Sequence, residues 1–524
     1  MNKIVKSTLY ALLMVFLMAC TNKFEEYNTD PIGVTKDELK QDNNYIGILF
    51  PPLQQMIYCN YDWGWGTNWP FQVMQNLNAD IFSGYMASAT DFAGGVNNQT
   101  YSLVAGWNDS SWDYNYAYGL PNTTRIASRC QEDYETFSHF DAINKILKVM
   151  TISRLSDQYG PVIYTHFGEA KTGGTYDSAQ DAYKAFFADL KEAVSILTQY
   201  TKSNPGLTPF EKFDMAYGGD YTKWIKFANT LRLRLAMRVV KYDAQWAKTE
   251  AEAAVAAGII TSNDESFTVS GLGYFNPLAA ISGGWNDISI SANLESILGG
   301  YNDARLAKMA TGNKGMRSGI PNLSDYDYHP VVSYVNVSTS DPANLLMLAE
   351  AYFLRAEGAL RAWNMGSGDA KSFYEAGVKA SFEQWGASIG DYLSSDNVPA
   401  DFVDQLQPAI ASSPAVSKVS PKWDDAASNE VKLEKIITQK WIAGFPEGIN
   451  AWAEWRRTGY PKLFPIVKND SQGAIPTELG VRRLPFSSAE KSGNAAGYAD
   501  AVQKLKGADT GATRIFWDID KANF

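Results

Sequence analysis

The sequence predicts a mostly α-helical protein whose scaffold carries long, irregular, aromatic-rich loops. Apolar residues recur at helical spacing in four separate segments, whereas the stretches at roughly 60–120, 261–340 and 461–524 have no sustained period and are rich in Gly, Asn, Asp and aromatic residues. Loops of that length are rare in a compact domain unless they have a use. The 524 residues are 45% hydrophobic and 20% charged, which excludes a wholly disordered or fibrous chain. A net charge of −11 argues against a nucleic-acid partner, because phosphate binding needs a basic face that releases counterions. Three Cys and three His leave little material for a metal site or a disulfide framework.

The N-terminus reads as an address. Lys3 and Lys6 precede an apolar run of 11 residues, Leu9–Ala19. A membrane span needs about 20, so the run is a secretory signal. It ends Leu17-Met18-Ala19-Cys20 before the polar Thr21-Asn22-Lys23, which resembles a bacterial lipobox with cleavage before Cys20 and acylation of its thiol. Acyl chains bury CH₂ groups at about 0.8 kcal/mol each, so a multiply acylated Cys20 holds firmly to a bilayer. Residues 1–19 are then removed, and 20–524 form one domain, since no linker is legible. Cys59 and Cys130 remain, as one disulfide or as two buried thiols. Residues 36–39 read KDEL, a signal only at a C-terminus; Thr35 and Glu38 there suit a helix capping box.

Farther on, Asp177 suits an N-cap ahead of Ala182, Phe186, Leu190, Ala193 and Leu197, spaced 4, 4, 3 and 4. Trp224, Phe227, Leu231, Leu235 and Val239 form a second stripe, on a helix expected to continue through the Ala-rich 247–257. Leu345, Ala349, Tyr352, Ala356 and Leu360 form a third, after a Pro342 suited to a first turn. Ile436 and Trp441 begin a fourth, broken near Pro446, and 408–420 reads as a surface loop. Paired helices suggest a degenerate repeat solenoid, although no 34-residue tetratricopeptide consensus is legible.

Catalytic motifs are absent. There is no G-x-S-x-G and no H-E-x-x-H, and His139, His166 and His329 are isolated from one another. Gly64-x-Gly66 and Gly271-x-Gly273 lack the third glycine of a dinucleotide loop, and Asp325-x-Asp327 lacks the Gly and Glu of a calcium loop. Paired carboxylates have no fixed spacing. Glu350 and Glu357 share a helix face, but Arg361 follows Glu357 by four residues, and Arg232, Arg234 and Arg238 are available for ion pairs between helices.

The aromatic residues carry the candidate site. Residues 58–71 read YCNYDWGWGTNWPF, rings interleaved with short polar residues and with no helical or strand period. The C–H face of a pyranose lies on such rings while Asn and Asp take its hydroxyls, and aromatics supply that area at low entropy cost. Gly283-Gly284-Trp285-Asn286-Asp287 repeats the theme most clearly, and Trp107 and Trp112 are further instances. The candidate ligand residues are Tyr61, Trp63, Trp65, Asn68, Trp69, Trp285, Asn286 and Asp287, with no catalytic or metal-binding residue. The alternative use of these rings is to cap the scaffold or to face a partner protein.

Several stretches together resemble the SusD/RagB family of nutrient-binding lipoproteins. After Cys20 comes FEEYNTDP (24–31), similar to the family's F-x-x-x-N-T-x-P. Residues 155–162, LSDQYGPV, resemble its D-x-Y-G-x-V-P-Y element, with Ile163 in place of the second proline before Tyr164. WIKFANTLRLR (224–234), LAEAYFLRAE (348–357), Gln439-Lys440-Trp441 and WAEWRRTG (452–459) are similar to further family segments, in the same order along the chain. The resemblance implies four tetratricopeptide-like helix pairs in a right-handed superhelix, with the ligand site on a loop face away from them. It implies a surface-exposed, lipid-anchored outer-membrane protein that captures oligosaccharide and lids a SusC-like TonB-dependent transporter, without catalysis. The family's sites draw on an early loop and a mid-chain loop, where 61–71 and 283–287 fall. No cofactor is expected, a structural calcium ion aside. A secreted glycoside hydrolase and a binder of peptide or another nutrient on the same scaffold are the alternatives.

Overall fold

The computed structural model describes residues 41–59, 69–170 and 173–524. Cys20, the Thr35–Glu38 capping box, Tyr61, Trp63, Trp65 and Asn68 lie outside the described residues.

The first helices form a layer that the repeat scaffold backs. Helix α1 (Phe50–Ile57) starts with prolines in its first turn, where their missing N–H has no helical acceptor anyway. Helix α2 (Trp69–Phe71) runs into a π-helical stretch, Gln72–Asp80, and α3 (Ala105–Tyr114) into another, Asn115–Gly119. Helix α4 (Pro121–Gln131) leads to the long α5 (Tyr134–Tyr159), capped by Asp133. Then follow α6 (Ala179–Ser203), α7 (Tyr221–Arg238), α8 (Ala244–Ala257), α9 (Leu348–Leu360), α10 (Ala370–Gln384), α11 (Asn429–Gly444), α12 (Gly448–Thr458) and α13 (Ala495–Leu505).

The pairs α5–α6, α7–α8, α9–α10 and α11–α12 each pack together, and α6 on α7, α7 on α9 and α9 on α11 stack the pairs in sequence. This is the tetratricopeptide-like arrangement. The stripe Ala182, Phe186, Leu190, Ala193 and Leu197 is buried along all of α6. Side-chain caps satisfy the first free amides of these helices: Ser178 for α6, Asp220 for α7, Asp243 for α8 and Ser428 for α11.

Five expectations are corrected. Ser178, not Asp177, caps α6; Asp177 accepts from the backbone amides of Tyr164 (2.9 Å) and Thr165 (2.8 Å). The second helix does not run through 257. It ends at Arg238, and Asp243 caps a new helix that folds back on it, because both apolar faces need the same core. Leu345 belongs to a strand and not to α9, and Pro342 precedes that strand. The stretches 60–120 and 461–524 contain α2, α3 and α13, since buried polar and small residues there obscure a helical period. In 408–420, a short helix, Pro408–Ala411, interrupts the surface loop.

A buried ionic network joins all four pairs. Arg457 of α12 holds Glu357 of α9 through two bonds of 2.7 Å and also reaches Glu454 at 2.7 Å. Arg234 of α7 pairs with Glu350 of α9 (2.9 Å through Nε). Lys440 of α11 lies 3.1 Å from Glu454, and Arg238 of α7 lies 3.2 Å from Asp157 of α5. Burial pushes Glu454 up, but Arg457, Lys440 and Arg238 together hold it well below the usual carboxylate range. The interhelical pairing expected of Arg234 is present. Arg238 reaches α12 and α5 instead, and Arg232 pairs with Glu250 of α8.

Two short antiparallel ladders complete the fold. Strand β1 (Met86–Ser88) and β3 (Ile288–Ile290) pair with Met86 opposite Ile290, while β2 (Phe267–Val269) pairs with β4 (Ala343–Leu346). The β1–β3 ladder ties the segment after α2 to the mid-chain loop that precedes β3.

Candidate functional site

Trp69 is the first residue of α2 and is 39% exposed. Its ring lies 6.1 Å from that of Tyr114 in a T-shaped contact, and Tyr114 lies 6.0 Å from Tyr118, in the π-helical stretch that follows α3. Trp285 follows a π-helical turn, Ala279–Gly284, and is 45% exposed. Asn286 adopts φ +60°, a left-handed conformation that Asn tolerates, and this turns the chain from Trp285 into β3.

Asp287 is half-buried and bonded within the chain. Its two carboxylate oxygens accept from Gln72 Nε2 (2.8 Å) and Thr90 Oγ1 (2.7 Å), and its carbonyl accepts from Ala89 N (2.9 Å). It anchors the loop that carries Trp285. Gln72 lies one helical turn after Trp69, and Asp287 two residues after Trp285. The Gln72–Asp287 bond therefore brings the two exposed rings, 216 positions apart in sequence, to one part of the surface. Thr90 also faces His329 Nε2 at 3.4 Å, and His329 Nδ1 meets Asp327 at 2.8 Å. Asp327 is held low by these bonds to His329.

Leu272 and Phe275, both 51% exposed, stand in the loop that Gln55 of α1 holds through the Leu272 carbonyl (3.3 Å). Tyr118, Phe275 and Gln72 were not singled out from sequence. The Tyr114–Tyr118 spacing of four was a usable signal; Gln72 and Phe275 carry none. Trp112 is corrected: it is 1% exposed and stacks on Tyr176 at 5.5 Å, because α3 turns it into the core. Trp107 is half-buried against Phe92.

Among the described residues, the other carboxylates, thiols and imidazole weighed as reactive groups from sequence are buried. Glu350 and Glu357 are buried in the ionic network. Cys59 and Cys130 are buried free thiols, each pushed up to about 12 by burial. His139 is stacked on Tyr200 at 3.9 Å, and burial lowers it to about 4. Among the described residues no group of three or more His, Cys, Asp or Glu could hold a metal ion. No helix among them is long and apolar enough to cross a membrane.

Stacked helix pairs bearing an open, loop-built aromatic face define a helical-repeat scaffold protein. The chain belongs to the SusD-like family, the SusD and RagB outer membrane lipoproteins, whose family model matches residues 26–518. Among solved structures it is similar to a chitin-binding SusD homolog from Flavobacterium johnsoniae, with 46% identity over 92% of this chain and 100% of that one, at TM-score 0.86. A SusD homolog from Bacteroides vulgatus is 42% identical over 91% and 98%, at 0.85. One from Bacteroides thetaiotaomicron is 34% identical over 91% and 99%, at 0.82. No curated protein matches the chain.

Proposed function

We propose that this protein is a non-catalytic glycan-binding lipoprotein of the outer membrane, anchored at the cell surface through Cys20, that captures oligosaccharide for a SusC-like TonB-dependent transporter. The observation that carries the reading is the pair of solvent-facing indoles, Trp69 and Trp285, held on one surface by the Gln72–Asp287 bond. Flat rings in the open bury the apolar face of a pyranose without a closed pocket. The ligand we assign is a β-1,4-linked N-acetylglucosamine oligosaccharide, supported by the relative described as chitin-binding.

Calorimetry with the N-acetylglucosamine hexamer tests this. Trp69→Ala and Trp285→Ala should each weaken binding by about five- to thirty-fold, the range of roughly 1–2 kcal/mol for an exposed aromatic anchor, with unchanged circular dichroism and Tm. The recovered sugar should be uncut. Shortened products lost on mutating one acid would establish a hydrolase, and binding of a peptide panel in place of the sugar would establish a peptide carrier. Failure of the native chain to co-purify with its transporter from detergent-solubilised outer membrane would sink the transport step.

A further inference from the structure

The bonds around Asp287 continue beyond it. Thr90 Oγ1 lies 2.7 Å from Asp287 Oδ1 and 3.4 Å from His329 Nε2, and His329 Nδ1 lies 2.8 Å from Asp327 Oδ1. The segment that carries His329 runs on to β3, where Ile290 N donates to the Ser333 carbonyl at 2.9 Å, and Tyr334 Oη donates back to the His329 carbonyl at 3.0 Å. The stretch after β1, the turn before β3 and the segment 327–329 thus meet through one hydroxyl and one imidazole.

The donors and acceptors of this chain of bonds can be counted. A carboxylate only accepts, and a hydroxyl has one proton. The short contact to Asp287 uses the Thr90 proton, so toward His329 the Thr90 oxygen can only accept. Asp327 only accepts as well. Both ring nitrogens of His329 therefore face acceptors, and the form that satisfies both is the imidazolium, with a proton on each nitrogen. Without the Nε2 proton, two lone pairs oppose each other. The single Thr90 proton is then contested, and when it turns to His329 it leaves Asp287 Oδ1 without its partner. The charges at the ring lean the same way. Asp327 and, across Thr90, Asp287 are the carboxylates that face it, Asp91 follows Thr90 in the same loop, and Tyr334 is the other titratable neighbour. Among the described residues no Lys or Arg forms an ion pair with any of these three acids, whereas His329 pairs with Asp327. The His329 side chain is 41% exposed, so it exchanges protons with solvent.

We propose that His329, as an imidazolium, is a positioning residue for the Trp285 loop: its Nε2–H holds the Thr90 oxygen so that the Thr90 proton stays on Asp287, and loss of the Nε2 proton as pH rises loosens the loop and weakens glycan binding. The binding half of this statement rests on Trp285 being a sugar contact; the positioning half does not.

The test uses the full chain with isotope-labelled histidine. It has three imidazoles to follow by nuclear magnetic resonance, and the signal missing from the His329→Gln chain is that of His329. Both nitrogens of this ring should carry protons at about pH 5, and Nε2 should lose its proton as the pH is raised to about 8.5. Calorimetry with the N-acetylglucosamine hexamer over the same range should show affinity falling about two- to tenfold, the worth of one hydrogen bond, at the midpoint of the His329 signal. His329→Gln presents an amide N–H that does not titrate, and it should keep the low-pH affinity of the native chain throughout. Thr90→Val keeps the shape and removes the hydroxyl, so its affinity should no longer follow His329. Asp80, pushed up to about 7, titrates in the same window, but neither substitution alters it, so its effect is common to all three chains. A flat native profile, a profile that Thr90→Val leaves unchanged, or an Nε2 without its proton at about pH 5 overturns the proposal. If the hexamer binds at no pH, the sugar reading falls, and the positioning is judged without ligand. Acrylamide quenching of Trp285 emission, taken as the difference between chains with and without Trp285→Phe, should then rise with pH in the native background and stay level with Thr90→Val. Quenching that is level in the native background overturns the positioning too.

Discussion

Asp80 shows how a single side chain records its surroundings. It ends the π-helical stretch after α2, fully buried, and accepts from Gln75 Nε2 (3.0 Å), Asn76 Nδ2 (3.1 Å) and Gly448 N (3.2 Å). Burial outweighs these bonds and pushes it up to about 7 from an ordinary 3.8. A carboxyl whose folded value is raised binds its proton more readily in the folded state. Its contribution is thus favourable at low pH and declines as pH rises from about 4 to about 7. Asp80→Asn removes that dependence. The stability of the variant relative to the native chain should therefore increase between pH 4 and pH 8, by about 2–4 kcal/mol in all, in urea titrations across that range. A flat difference would show that Asp80 is not the titrating group. His139 acts with the opposite sign. Its value is lowered to about 4, so stability through this group is lost as pH falls from about 6.5 to about 4, a loss common to both chains that cancels in the comparison.

Elements decide what single residues can do. The loop carrying Trp285 is short, and its orientation comes from the β1–β3 ladder and from Asp287. Asp287→Ala removes both side-chain bonds without touching the exposed ring. It should weaken hexamer binding several-fold, with little change in Tm, because only the loop is released. Unchanged affinity would mean the ladder alone positions Trp285. Trp441 of α11 is the structural counterpart. It is buried, donates its indole N–H to the Ser83 carbonyl at 2.9 Å and lies 4.8 Å from Tyr85. Trp441→Ala should cost about 3–5 kcal/mol in denaturant unfolding, the range for emptying a large aromatic site. Indoles alike in sequence thus split into two uses according to the element that carries them: Trp112 and Trp441 lie in helix faces turned inward, whereas Trp69 and Trp285 stand where a helix begins and where a turn ends.

At the scale of the molecule, the ionic network sets how the pairs hold together. Glu454 faces Arg457, Lys440 and Arg238, and Glu350 and Glu357 take the remaining bonds, so charges from α5, α7, α9, α11 and α12 balance inside one core. Removing Glu454 leaves Arg457, Lys440 and Arg238 each with one carboxylate fewer and one buried positive charge uncompensated, which typically costs about 3–5 kcal/mol. Glu454→Ala should show a loss of that size in the urea midpoint. Removing the solvent-exposed partner Glu192 of Lys145 should cost less than about 1 kcal/mol. Equal effects would refute the network's role. The network also explains why the family-like segments WIKFANTLRLR, LAEAYFLRAE and WAEWRRTG carry charges at regular helical positions. Arg234, Glu350, Glu357, Glu454 and Arg457 come from those segments and meet only when the pairs stack.

The sequence by itself determined the helical class, the stripes of α6 and α7, the family, and the two short segments from which exposed indoles would come. Each is a local property: a period of apolar residues, an order of motifs, or a cluster of rings among small polar residues. Tertiary structure decided where the second helix folds back and which acid each arginine meets. It also turned Trp112 inward and bonded Asp287 to Gln72 and Thr90. The physical reason is the same in every case. Burial and pairing depend on which distant segment arrives alongside, as Gln72 arrives beside Asp287, and nothing in the neighbouring residues of either one encodes that meeting.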